Sequence, residues 1–179
     1  PLELYFLAKT FLKSADILKK KHPELQICFS QAPNLSDEVF NKYFNDIDYK
    51  IIKGENQALL SVSDSLILAS GTVALEAALY KTPMVIGYKG PYVLYLIYLM
   101  VRCIKRVCLP NIIANKDIVP ELVQSKFTVK NICYETEKLL YDKNAHEKMI
   151  NELGGVKSKL SDKYSAQEVA DCIIKALNE

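Results

Sequence analysis

Leu68-Ala69-Ser70-Gly71-Thr72-Val73-Ala74-Leu75-Glu76 passes from an apolar run through three small residues into a run of good helix formers. The preceding Ser65-Leu66-Ile67-Leu68-Ala69 is nearly continuous in apolar residues, as parallel strands are when both faces are buried. A strand that turns through Ser-Gly-Thr directly into a helix is one half of a βαβ unit. The second half follows at once, because the spacing predicts a helix over 72–80 and a strand over Met84-Val85-Ile86-Gly87-Tyr88.

The same alternation extends outward in both directions. Upstream, Leu4, Leu7, Phe11, Ala15 and Leu18 recur at helical spacing over 4–20, and Lys19, Lys20 and Lys21 suit the negative end of that helix. A strand is expected at 25–29, a loop at 30–36, a helix at 37–44, a strand at 49–52 and a helix at 56–62. Downstream, a helix is expected over 92–104, then a short strand over 106–109 running into Pro110-Asn111. From Pro120 onward the chain reads as helices, with a helical tail from about 134, a break at Gly154-Gly155, and a capping-box pair, Ser165 and Glu168, before the last helix. Strands alternating with helices give an α/β fold with an open parallel sheet and helices on both faces.

Composition narrows the class without naming it. The 179 residues fit one domain with a sizeable core, and 1–179 is read as one unit, since no repeat, low-complexity tract or long polar linker divides it. Half the residues are apolar, and 23 basic against 21 acidic side chains leave a formal charge of +2, which argues against disorder and against a general nucleic-acid binder. The five cysteines, Cys28, Cys103, Cys108, Cys133 and Cys172, are scattered without a Cys-x-x-Cys pair, so buried free thiols are expected rather than disulfides or a zinc site. His22 and His146 have no metal-ligand type near them in sequence and read as surface histidines. The opening Pro1-Leu2-Glu3-Leu4 carries no export signal, and the chain is expected to be part of a longer protein. Its longest apolar run, 92–101, is about half of the roughly 20 residues that cross a bilayer as a helix.

The turn carries the chemistry. Gly71 lets backbone approach a ligand, and the unpaired amides of a helix N-terminus, with the helix dipole, favour an anion such as a diphosphate. In open α/β sheets ligands bind at the carboxyl ends of the strands, where this turn falls. Glu76 lies one turn along the same helix, and a carboxylate there can accept both hydroxyls of a ribose diol. The residues alone fit a plainer reading equally well, in which Ser70 or Thr72 caps a helix and Glu76 is a solvated charge.

Three ordered blocks, Ala69-Ser70-Gly71-Thr72-Val73-Ala74-Leu75-Glu76-Ala77-Ala78-Leu79, Thr82-Pro83-Met84-Val85-Ile86-Gly87-Tyr88-Lys89 and Leu109-Pro110-Asn111, resemble the lipid-A-disaccharide synthase family. The likeness is dense over 63–124 and thinner over 4–48. It implies a Rossmann-like domain that is one half of a GT-B glycosyltransferase, here the donor-binding half. The activity implied is transfer of diacylglucosamine from its UDP donor to the acceptor lipid X, with inversion, release of UDP and no metal or other cofactor; no Asp-x-Asp metal motif is expected in the chain. Gly71 and Thr72 would then meet the diphosphate, with Ser70 also in the donor site, Glu76 would meet the ribose, and Asn111 the nucleotide or the sugar; Lys89 would stabilise leaving-group charge. Taken alone, Asn111 also reads as a turn residue after Pro110, and Lys89 as a solvated charge before Gly90-Pro91. The resemblance places the catalytic base in an N-terminal domain outside this sequence, so no catalytic residue is named, and a Gly-Ser-Arg-like loop that precedes the first helix in the family is also missing. It implies a cytoplasmic protein, peripheral on the inner face of the inner membrane.

Asn115 stands where the family has Gly and is expected to take a left-handed conformation. The segment 92–106, apolar and ending in Arg102, Lys105 and Arg106, reads either as a core helix or as a membrane contact. The partners implied are UDP-diacylglucosamine, lipid X, the N-terminal domain and a second copy of the chain. Competing functions are another UDP-sugar enzyme, such as an epimerase or a peptidoglycan glycosyltransferase, and a non-catalytic module that docks on membranes or dimerises.

Overall fold

The computed structural model describes residues 2–32, 35–44, 48–91, 106–160 and 165–177. Helix α1 spans Leu2–Lys21, and Leu7, Ala8, Ser14, Ala15 and Leu18 form its buried stripe at the 3.6-residue period. After it come β1 (Cys28–Gln31), α2 (Asp37–Phe44), β2 (Lys50–Lys53), α3 (Asn56–Val62), β3 (Leu66–Ala69), α4 (Thr72–Tyr80) and β4 (Met84–Tyr88). The described chain continues with α5 (Leu109–Ala114), β5 (Glu121–Val123), a 3-10 turn at Gln124–Lys126, α6 (Val129–Tyr141), α7 (Lys143–Lys159) and α8 (Ser165–Leu177).

Among the described residues every strand pairing is parallel, in one two-stranded and one three-stranded sheet. β1 pairs with β2, Phe29 in register with Ile51, and β4 lies between β3 and β5. This is the expected α/β class with parallel strands linked through helices. Two apolar clusters hold it. The larger joins Leu66, Met84, Val85, Ile86 and Leu122 of the strands to residues of α4, α6 and α7, while the smaller packs Ala8 and Phe29 against Phe40 and Phe44 of α2. Ala74, Ala77 and Ala78 are fully buried on α4, whose small face lets it pack closely with α7.

Helices α2, α3 and α4 and strand β4 fall where the periodicity predicts them. Four expectations change. β1 begins three residues late, because Lys19 Nζ donates to the carbonyls of Pro23 (2.8 Å) and Leu25 (2.7 Å) and holds the chain in a turn. The strand expected at 106–109 does not form: Val107 and Cys108 direct their N–H groups to the Glu121 carboxylate, and Leu109 already opens α5. Not all of 120 onward is helical, since β5 joins the sheet beside β4, and the helices that follow begin at Val129 rather than about 134. Gly154 and Gly155 do not break α7, which runs through them, with Leu153 and Val156 buried on either side.

The helix expected over 92–104 and the side chains of Ser165 and Glu168 lie outside the described residues. Among the described residues no helix is long and apolar enough to cross a membrane.

Candidate functional site

The turn between β3 and α4 stands at the carboxyl edge of the sheet. Ala69 is in register with Gly87, and the Ser70 N–H donates to the Gly87 carbonyl (3.1 Å), so β3 and β4 deliver Ser70 and Lys89 to the same edge. Gly71 is the N-cap of α4 in an extended conformation (φ 169°, ψ −168°), and among the described residues no side chain caps the helix. A Cβ built on Gly71 meets nothing within 4 Å. The capping reading of Ser70 and Thr72 is therefore set aside: Ser70 Oγ donates instead to the Val107 carbonyl (3.0 Å). Gly71, Thr72, Glu76 and Lys89 are exposed, and Ser70 is half-buried. Ser70, Gly71, Thr72 and Lys89 thus share one edge, with Glu76 one turn into α4.

Asn111 differs from these in its surroundings. It is 1% exposed, its Nδ2 donates to the Val119 carbonyl (2.8 Å) and to Glu121 Oε1 (2.9 Å), and its Oδ1 accepts from the N–H groups of Ile118 (2.8 Å) and Val119 (2.9 Å). All four hydrogen-bonding positions of the amide are filled from within the chain. Nor is it a turn residue, since it lies inside α5. Asn115 caps that helix in the left-handed conformation expected of it (φ 54°, ψ 34°), accepting from Arg106 through its side chain (2.8 Å).

Glu121 is the residue that the sequence reading missed. Its carboxylate accepts from the N–H groups of Val107 (2.9 Å) and Cys108 (3.0 Å) as well as from Asn111. The amino end of α5 is thereby occupied by an internal anion, whereas that of α4 has no side-chain cap. An acid between Pro120 and Leu122, at the start of a strand with an apolar interior, was the only signal available. Gln124 was missed as well: it is buried at φ 51°, and its Nε2 donates to the Gly90 carbonyl (3.2 Å), joining the ends of β4 and β5.

Other groups fall away from this edge. The Cys108 thiol is pushed up to about 12 by burial, so it stays protonated; Cys133 is buried too, but Cys28 is exposed. His22 is no isolated surface residue: its Nε2 lies 3.0 Å from Glu137 Oε1, and its ring stacks on Tyr141 at 4.5 Å. That hollow between α1 and α6, lined also by Lys21 and Tyr134, shares no residue with the turn. His146 Nδ1 lies 2.8 Å from the Leu139 carbonyl. An Asp-x-Asp spacing does occur in the chain, at Asp46-Ile47-Asp48; its first two residues lie outside the described ones, and Asp48 is exposed. Arg106 bonds Asp117 (2.6 Å), and the rest of the candidate membrane segment lies outside the described residues.

Parallel strands, a helix after each of the first four, and an uncapped glycine turn at the carboxyl edge define the class of Rossmann-like α/β domains. The sequence profile described as Lipid-A-disaccharide synthetase matches residues 2–176, and the chain belongs to that family. It is 32% identical over 185 residues to the lipid-A-disaccharide synthase of Actinobacillus pleuropneumoniae serotype 3, covering 96% of this chain and 46% of that protein. To the synthase of Anaeromyxobacter dehalogenans it is 32% identical (97% and 46% covered), and to that of Haemophilus ducreyi 36% over 155 residues (84% and 40%). The chain thus spans about half the length of the curated relatives it matches.

Proposed function

We propose that this chain is the donor-binding part of an inverting glycosyltransferase that joins UDP-2,3-diacylglucosamine to lipid X, giving the lipid A disaccharide and UDP. The observation that carries the reading is the open amino end of α4 at Gly71, in a chain of this family. The diphosphate lies against the Gly71 and Thr72 amides, where among the described residues no side chain competes for them and no Cβ holds it off. Glu76, exposed one turn on, accepts the ribose hydroxyls.

Breaking the glycosidic bond places negative charge on the departing UDP. Amides already fixed by the helix, together with the Lys89 ammonium at the end of β4, stabilise that charge without having to reorganise. The base that deprotonates the acceptor hydroxyl belongs to another part of the protein, which closes over this edge and aligns acceptor with donor. The protein works at the cytoplasmic face of the inner membrane, where its lipid substrates are met.

The test is calorimetric titration of the full chain with UDP, without added divalent metal, beside Gly71→Ala and Glu76→Ala. Wild-type binding that each substitution weakens about tenfold or more supports the reading. It is overturned if the full chain does not bind UDP, or if either variant binds as tightly as wild type.

A further inference from the structure

The backbone of the turn at Ser70-Gly71-Thr72 is held to β4 by the Ser70 N–H on the Gly87 carbonyl, and its Ser70 side chain is tied to β5 through one residue, Val107. Its carbonyl accepts from Ser70 Oγ (3.0 Å), and its N–H donates to Glu121 Oε2 (2.9 Å). The carboxylate is itself fixed from two sides. Its Oε1 accepts from the Cys108 N–H (3.0 Å) and from Asn111 Nδ2 (2.9 Å), and its backbone is in register with Ile86 of β4, where Ile86 N–H donates to the Pro120 carbonyl (3.0 Å). Asn111 completes the fixture by holding 118 and 119, the residues that lead into β5.

We propose that Glu121 is a positioning residue of the donor site: it orients Val107 so that the Val107 carbonyl holds the Ser70 hydroxyl, and so sets the Gly71 and Thr72 amides in register with the diphosphate. The inference rests on the donor-site reading and adds to it a residue that touches no ligand. It also gives Asn111 a different part from the one expected of it. With its amide filled from within the chain, Asn111 acts through Glu121 and not on the nucleotide. A carboxylate taking three N–H donors, two of them backbone, is suited to this, since charge-assisted hydrogen bonds are shorter and roughly twice as strong as neutral ones. Glutamine in its place has one acceptor oxygen and an NH2 group, which faces the Val107 or the Cys108 N–H donor to donor.

The experiment measures UDP affinity in this chain, and donor and acceptor KM in the complete protein that also carries the catalytic base, for wild type, Gly71→Ala, Ser70→Ala, Glu121→Gln, Glu121→Asp and the Ser70→Ala/Glu121→Gln double variant, with thermal midpoints alongside. Both single variants at 70 and 121 are expected to weaken UDP about tenfold and to raise the donor KM while leaving the acceptor KM unchanged. The double variant is expected to be no weaker than the worse single one, because both cut the same chain of contacts. Glu121→Asp, which keeps the charge, recovers part of the loss. If Glu121→Gln does not fold, Ser70→Ala decides: full UDP affinity there overturns the proposal and a loss supports it. Multiplicative losses in a folded double variant, or full affinity in Glu121→Gln, overturn the proposal alone when Gly71→Ala has lost UDP. A wild type that does not bind UDP, or a Gly71→Ala that binds it normally, overturns the donor-site reading, and this one with it.

Discussion

A methyl group added at Gly71 enters open space, whereas one added at Gly87 runs into the Phe127 ring, which packs edge-on against Phe11 at 5.4 Å. The two glycines therefore fail differently when given a side chain. Gly87→Ala is expected to cost about 1–3 kcal/mol of stability, read as a lower urea midpoint, because buried aromatics must shift. Gly71→Ala is expected to keep the wild-type midpoint and lose UDP, which separates a ligand clash from misfolding. Asn111→Ala leaves the Ile118 and Val119 N–H groups without an acceptor and is expected to lower stability by about 2–4 kcal/mol. Its effect on UDP affinity must therefore be read against the folded fraction. On the proposed donor-site reading, Lys89→Ala in the complete protein is expected to lower kcat more than it changes the donor KM, since the charge assigned to it develops as the proposed UDP group leaves. Gly71 and Glu76 could be read from sequence because a strand-turn-helix signature fixes their place. The part of Glu121 could not, because it depends on three groups that only the fold brings to one carboxylate.

Helical periodicity needs only local spacing, which is why α2, α3 and α4 were legible to the residue. Short strands were less so. β5 has three residues, too few to show a period, and its identity comes from pairing with β4. The stretch 106–109 has strand-like residues but hydrogen-bonds to side chains, so its propensity was overridden. Gly154-Gly155 shows the reverse case, in which tertiary packing of Leu153 and Val156 carries a helix across two poor helix formers. Gly155 is exposed, with room for a Cβ, so Gly155→Ala is expected to stabilise by about 0.5–1 kcal/mol, seen as a raised thermal midpoint. The caps of α6 and α7 were not read from the sequence and come from the structure, where Thr128 accepts from the Asn131 N–H (3.2 Å) and Asp142 from that of Ala145 (3.1 Å).

Across the molecule, the carboxyl end of α1 is fastened to α6 by charges that are far apart in sequence. The Lys21 ammonium donating to Glu137, and secondly His22, hold the Glu137 carboxyl below its usual 4.5. A depressed folded value means that the contribution is fully present above the usual glutamate pKa and is lost as pH falls through the lowered one. The stability difference between wild type and Glu137→Gln is therefore expected to be constant above about pH 5 and to shrink on acidification, in urea titrations across pH. Sequence by itself determined the alternation of strands and helices, the α/β class, and the placing of Gly71 at the turn with Glu76 one turn into the helix, because these follow from local spacing and backbone permissiveness. Only the tertiary structure decided that Asn111 is buried, that Glu121 closes the amino end of α5 while that of α4 stays uncapped, and that His22 is fastened to α6. Those outcomes rest on hydrogen bonds between residues 7 to 115 positions apart, and no local pattern in the chain encodes which donors will meet a given carboxylate.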